Sequence, residues 1–312
     1  MTTAPARVKA KQRPADRVFA GSTLVAGSTI LVILAAVAIF LIGQSIPAFL
    51  VDPAEIKGAP SSFWAYVGPL VFGTVWAAAI ALVIAVPIAI GIALFISHYA
   101  PRRLAQGLGY IIDLLAAVPS VVFGLWGGRV LAPAIQPVYD WLVTNLGWIP
   151  LFAPPVSGTG RTILTVGIVL AVMILPIITA LTREIFLQTP KLHEEAALAL
   201  GATRWEMIRV AVLPFGRSGI VSASMLGLGR ALGETMAVAM VLSPAAIVSF
   251  VLTSSQNPST IASNIALNYP EAHDIGVNVL IATGLILFAI TFLVNSVARY
   301  VVGRRKEFSG AN

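Results

Sequence analysis

Residues 23–43 read TLVAGSTILVILAAVAIFLIG, inside a stretch from Val18 to Val51 that carries no formally charged side chain. A hydrocarbon core of about 30 Å takes around 20 consecutive apolar residues to cross as a helix, and this stretch supplies them. The basic residues before it (Arg7, Lys9, Lys11, Arg13, Arg17) raise the possibility of a signal peptide. The apolar run, however, is well beyond the roughly 7–15 residues of a cleavable signal, so a retained first span is expected. Residues 1–17, rich in Pro, Ala and Lys/Arg, read as a flexible basic tail.

The same pattern recurs outward along the chain. Further spans are expected at 67–97, 108–128 (interrupted by Asp113 and Pro119), 163–181, 219–242 and 277–302. Lipid offers the backbone no hydrogen-bond partner, so each span must be a helix or belong to a closed barrel, and no ten-residue alternation suggests a barrel. The expectation is an all-α integral membrane protein of six transmembrane helices. The six-helix membrane domain covers 18–303, with a long loop at 129–162, another at 183–217 and a short tail at 304–312.

Composition agrees. Of 312 residues 58% are hydrophobic and 11% charged, against roughly 25% charged in an ordinary soluble domain, and the mean hydropathy is +0.91. A soluble globular fold, a disordered tail protein and a nucleic-acid-binding domain are thereby excluded. The formal net charge of +7 reflects orientation rather than a nucleic-acid partner. With the N-terminus inside, 16 of the 20 lysines and arginines fall in inner segments, which by the positive-inside rule places both termini in the cytoplasm. The outer segments hold five acids (Asp52, Glu55, Asp140, Glu271, Asp274) against Lys57, Arg129 and Arg161. Such loops do not steer an anion inward, so an anionic substrate would need another component to deliver it. The 129–162 loop, with Trp141, Trp148 and five prolines, reads equally as an interfacial loop or a docking surface.

Enzymatic signatures are missing. There is no cysteine; none of the five lysines follows a glycine, so no phosphate-binding P-loop exists. The three histidines (98, 193, 273) lie on separate loops without ligand spacing, and no G-x-S-x-G elbow occurs. No catalytic residue, metal or cofactor is expected, and transport becomes the default.

Three stretches carry chemistry. Residues 194–214 read EEAALALGATRWEMIRVAVLP. Two amphipathic helices fit, 192–200 and 203–213, with Gly201 as a break that tolerates positive φ. Thr203 and Glu206 have capping-box spacing, and Pro214 is expected to stop the second helix. On periodicity alone this is a helical hairpin resting on a membrane. Residues 224–242 read SMLGLGRALGETMAVAMVL. They place Arg230 and Glu234 at i, i+4 on one helix face. A charge near the bilayer centre costs roughly 2.5–3.5 kcal/mol on insertion scales, so the pair is either a self-neutralising ion pair or part of a translocation path or gate. In 113–127, DLLAAVPSVVFGLWG, Asp113 is either an intramembrane functional acid or an end-of-span residue near Arg102 and Arg103. Pro119 should bend or break the helix; if a half-helix restarts there, Ser120 and the following N–H groups could face an anion.

The 194–214 stretch resembles the EAA loop of ABC importer permeases, EAA-x3-G-x9-I-x-LP. Glu195, Ala196, Ala197, Gly201, Leu213 and Pro214 match it, while position 211 is Ala where that family usually has Ile. GLGRALGETMAV (227–238) is similar to the signature of PstC-type permeases of the phosphate-specific ABC importer, and the likeness extends over most of the chain. It implies a type I importer fold of the MetI-like kind, with the 195–214 loop docking on an ATPase. The implied assembly holds a homologous PstA-type permease subunit, two cytoplasmic ATP-binding subunits and an external phosphate-binding protein, with inorganic phosphate as substrate. Arg230, Glu234, Asp113 and Ser120 are the candidates for the path or gate. Sulfate or molybdate import, or a gradient-driven transporter, are the competing expectations.

Overall fold

A computed structural model describes residues 14–50 and 62–306. Most of the two expected tails, and Asp52, Glu55 and Lys57, lie outside the described residues. Twelve helices are described: α1 (Pro14–Leu50), α2 (Phe63–Leu94), α3 (Arg102–Ala116), α4 (Ser120–Trp126), α5 (Ala132–Leu146), α6 (Ile163–Leu187), α7 (Lys191–Ala199), α8 (Arg204–Met207), α9 (Leu213–Leu232), α10 (Met236–Val241), α11 (Ile261–Asn268) and α12 (Ile275–Lys306). Six are long and apolar enough, alone or joined to a neighbour, to cross a membrane. The expected tail residues 14–17 and 304–306 are already helical, at the start of α1 and the end of α12.

The centre is α2 against α6, with α9 packed on both. Ala77, Ala81, Ala85, Ala89 and Ala93 recur every fourth residue of α2 and are fully buried; that spacing stacks them into one ridge. Opposite the ridge α6 carries Ile163, Val166, Leu170, Ile174 and Ile178. Gly167 of α6 lies so near α2 that a Cβ there would run into Cγ2 of Ile80, and Gly227 of α9 sits in the same way against Ile178. Lipid tails are as apolar as leucine, so helices in a bilayer associate through close packing of small residues rather than by escape from water. The peripheral α1 rests on α12, where Asn278 Nδ2 donates to the Gln44 carbonyl at 2.7 Å.

Two expected spans are corrected. The third is not 108–128 but the joined run Ser120–Leu146. The chain turns at Ala117, and Pro119 takes an extended ψ of 141° as the N-cap of α4. Proline removes the N–H and crowds the carbonyl four residues back, so a helix begins afresh after it. Residues 102–116 form instead a separate amphipathic helix, α3. The expected 129–162 loop correspondingly shrinks, because Ala132–Leu146 is helical.

The fifth span, expected at 219–242, stops at Leu232 with Gly233 as its C-cap. At its other end Pro214 does not stop the helix. A π-helical turn, Ile208–Val212, joins α8 to α9, and Leu213 N–H reaches back to Ile208 O. The wider turn relieves the clash a proline ring would make with the preceding turn. After α10 the chain is irregular, apart from a two-residue parallel bridge between β1 (Pro244–Ala245) and β2 (Asn257–Pro258). Asn257 fixes this segment to the start of α6: its Oδ1 accepts from Ile163 N–H at 2.9 Å.

Candidate functional site

The 183–217 loop is built as a helical hairpin. α7 ends in a C-terminal cap in which Gly201 N–H donates to Leu198 O at 2.9 Å and Ala202 N–H to Ala197 O at 3.2 Å. Gly201 has φ +88°, the left-handed value this cap requires. The expected capping box is present: Thr203 Oγ1 accepts from Glu206 N–H, and Glu206 Oε2 accepts from Thr203 N–H at 2.7 Å. Met207, Ile208 and Val212 pack with Ala93 and Leu94 of α2 and Phe186 of α6, and Ala197 lies on this apolar base. Glu195 and Ala196 face outward, as do Leu192, Leu200 (90% exposed) and Trp205. The hairpin thus has one face seated on the ends of two spans and one apolar face left open.

Arg230 and Glu234 do not share a helix. Arg230 stands in the last turn of α9, half-buried, and makes no ion pair among the described residues. Glu234 lies past the break, 8% exposed, and its Oε1 accepts from Ala237 N–H at 3.1 Å. A carboxylate here satisfies a free donor of the first turn of α10 and complements the helix dipole. The i, i+4 expectation fails because three glycines in seven residues (227, 229, 233) weaken the helix, and because Glu234 has a better use capping α10.

Ser120 opens α4, as expected if Pro119 starts a new half-helix. α4 and α10 pack side by side in the same direction: a Cβ on Gly124 would lie 2.8 Å from Ala237 Cα, and one on Gly128 would lie 2.8 Å from Met240 O. The segments that begin at Ser120 and just after Glu234 are therefore neighbours. Asp113 does not join them. It is exposed on α3, outside the six candidate spans, on the wall of a cavity it shares with Arg102, Arg183 and Lys191.

His98 was set aside in the sequence as an isolated histidine, yet the structure brings its Nε2 to 3.6 Å from Glu194 Oε1 of α7. Its Nδ1 lies 2.6 Å from Ser97 Oγ. The only signal in sequence was its place at the end of an apolar span, before Pro101.

A bundle of discontinuous apolar spans with a capped helical hairpin at one end is the architecture of a transport permease. The chain belongs to the family of binding-protein-dependent transport system inner membrane components, whose pattern matches residues 85–307. Among its relatives, the phosphate transport system permease protein PstC 2 of Mycobacterium tuberculosis is 46% identical, covering 96% of this chain and 97% of the relative. The phosphate transport system permease protein PstC of Mesorhizobium japonicum is 40% identical, covering 95% and 92%. The fold is similar to that of a bacterial ABC transporter involved in the import of the acidic polysaccharide alginate, with TM-score 0.57, 17% identity and coverage of 94% of this chain and 99% of that one. It is also similar to the inward-facing MetNI methionine ABC transporter, with TM-score 0.51, 16% identity and coverage of 77% and 94%.

Proposed function

We propose that this chain is the membrane-spanning permease subunit of an ABC importer for inorganic phosphate. The observation that carries this is 46% identity over nearly the whole length to a phosphate transport permease. Both termini lie in the cytoplasm, as the distribution of basic residues requires, and the 183–217 hairpin faces the cytoplasm with them. The open apolar face of Leu192, Leu200 and Trp205, with the small residues Ala196 and Gly201, suits docking on an ATP-binding subunit. Hydrolysis belongs to two such subunits, because the chain has no P-loop. A homologous PstA-type subunit completes the pathway, and an external phosphate-binding protein delivers the anion past the acidic outer loops.

Movement of the docked hairpin reaches the spans through the apolar base shared by α2, α6 and α8. Coupling of this kind needs two states of the bundle with different affinity for ligand and nucleotide. Arg230, half-buried and without an acid partner among the described residues, is the residue best suited to meet the anion, and Glu195 to Pro214 form the coupling surface.

The test is uptake of radiolabelled phosphate in cells lacking the chain and complemented with wild type, Arg230→Gln or Glu195→Lys. Wild type restores uptake that excess sulfate or molybdate leaves unchanged, and both variants reach the membrane but fail to transport. Uptake that does not depend on the chain, or that sulfate abolishes, refutes the phosphate assignment.

A further inference from the structure

Where α2 and α6 end beside the 183–217 hairpin, the chain forms an open-mouthed cavity of about 600 Å³. Arg102, Gln106, Tyr110 and Asp113 of α3, Arg183 of α6 and Lys191 of α7 share its wall. Three cations therefore border one void, against a single acid on that wall. Neither Arg102 nor Lys191 makes an ion pair among the described residues, and Arg183 holds Glu184 of its own helix through Nη2 at 2.7 Å. Arg183 is fixed in place. Gly109 of α3 comes so close that a Cβ there would run into Nη1, while Nε is buried with no acceptor. Glu184 and Asp113 offset two of these three charges, so the wall keeps a net positive charge, which favours an anion.

We propose that this cavity binds a phosphate group, carried either by free orthophosphate or by an anionic lipid headgroup. The wall offers guanidinium forks, an ammonium and the Gln106 amide as donors, which is the donor set that phosphate oxygens accept. Asp113 supplies one acceptor, the complement of a phosphate oxygen that keeps its proton. The site is separate from the Arg230 segment, and it rests on the cavity's own side chains whether or not phosphate is the imported solute.

The full-length chain in phosphatidylcholine nanodiscs tests it in two arms: equilibrium dialysis with radiolabelled orthophosphate, and native mass spectrometry after titration with phosphatidylglycerol. The variants are Arg102→Gln with Lys191→Gln, and Arg103→Gln as a control on the same helix but off the cavity wall. The double variant weakens saturable binding of one of the two ligands by about tenfold or more, the scale of one lost charge-assisted hydrogen bond, and Arg103→Gln leaves it unchanged. Loss in the dialysis arm assigns free phosphate; loss in the lipid arm assigns the headgroup. Absence of saturable binding of either ligand to wild type overturns the proposal. So does a double variant that binds both ligands as wild type does, or an equal loss in Arg103→Gln. If the double variant does not reach the membrane, the exposed Lys191→Gln alone carries the same comparison.

Discussion

Gly201 gives the sharpest prediction about the hairpin. It sits directly after α7 at φ +88°, and its N–H and that of Ala202 close the last turn of the helix. An L-residue in the left-handed region costs roughly 1–2 kcal/mol. A Cβ added at Gly201 would meet nothing within 4 Å, so the penalty of Gly201→Ala is conformational with no steric part. A shift of this size changes the ratio of closed to opened turn by a factor of about 5–30. α7 has nine residues, too few to stay helical without its cap and tertiary seat. Hydrogen exchange at the Ala202 amide should quicken by that factor in Gly201→Ala. Phosphate uptake should fall while the amount of chain in the membrane does not. Gly201→Asn should lie between glycine and alanine, because Asn tolerates positive φ, and the β-branched Gly201→Val should be worst. Exchange in Gly201→Ala equal to wild type, or Val performing as well as Asn, would refute the conformational explanation.

Four further outcomes follow from the packing. Glu234→Ala should cost about 0.5–2 kcal/mol through loss of the α10 cap, read as a lower melting temperature. Exchanging the charges, Arg230→Glu with Glu234→Arg, should restore nothing, since the two residues form no pair; recovery of uptake in the double variant would reinstate the ion pair. Gly167→Ala should destabilise by about 1–3 kcal/mol through overpacking against Ile80, and Ile80→Ala in the same chain should recover part of it, a recovery whose absence would show that α2–α6 spacing is set elsewhere. His98→Ala should loosen α7 on the end of the second span while moving the melting temperature little, because a single partly exposed polar contact contributes at most about 1 kcal/mol; unchanged hydrogen exchange in α7 would show that this contact does not hold the helix.

Where a span is uninterrupted, the sequence is sufficient to place it. The first, second, fourth and sixth apolar runs all fall within helices, since length and hydropathy alone decide whether such a run can cross lipid. The caps of the hairpin were legible, because caps are local chemistry: Gly201, Thr203 and Glu206 need only their near neighbours, whereas Pro214, expected to end the second helix, is carried into α9 by the π-helical turn before it. The third and fifth spans were misplaced for a common reason. A hydropathy window sums over a break, and it counted 108–116 with the residues beyond Pro119, and 236–242 with those before Gly233. The mean cannot see that Pro119 restarts a helix, or that Glu234 gains more as a cap than as a partner for Arg230. The His98–Glu194 approach was beyond reach for another reason. It joins residues about a hundred positions apart, and only the packing of α7 on the end of α2 brings them together.

The two misplaced spans meet in space, and that coincidence bears on how the bundle could move. α2, α6 and the body of α9 interlock through alanine and glycine contacts that leave no room for a methyl group at Gly167 or Gly227, so they shift only as a unit. α4 and α10 are different. Each is short, each starts just after a break in the expected span, at Pro119 and at Gly233, and Gly124 of α4 lies against the Ala237 backbone of α10. Each break removes the backbone ladder on the N-terminal side of its segment, and such element ends are where hinge motion is usually absorbed. Local rules of helix continuity tend to fail where function requires it. The residues nearest these failures, Arg230 before one break, Glu234 within it and Ser120 after the other, were singled out from the sequence as candidates for the path or gate. These candidates stand at the end of α9, just before α10 and at the start of α4, and we propose that the gate forms at these element ends.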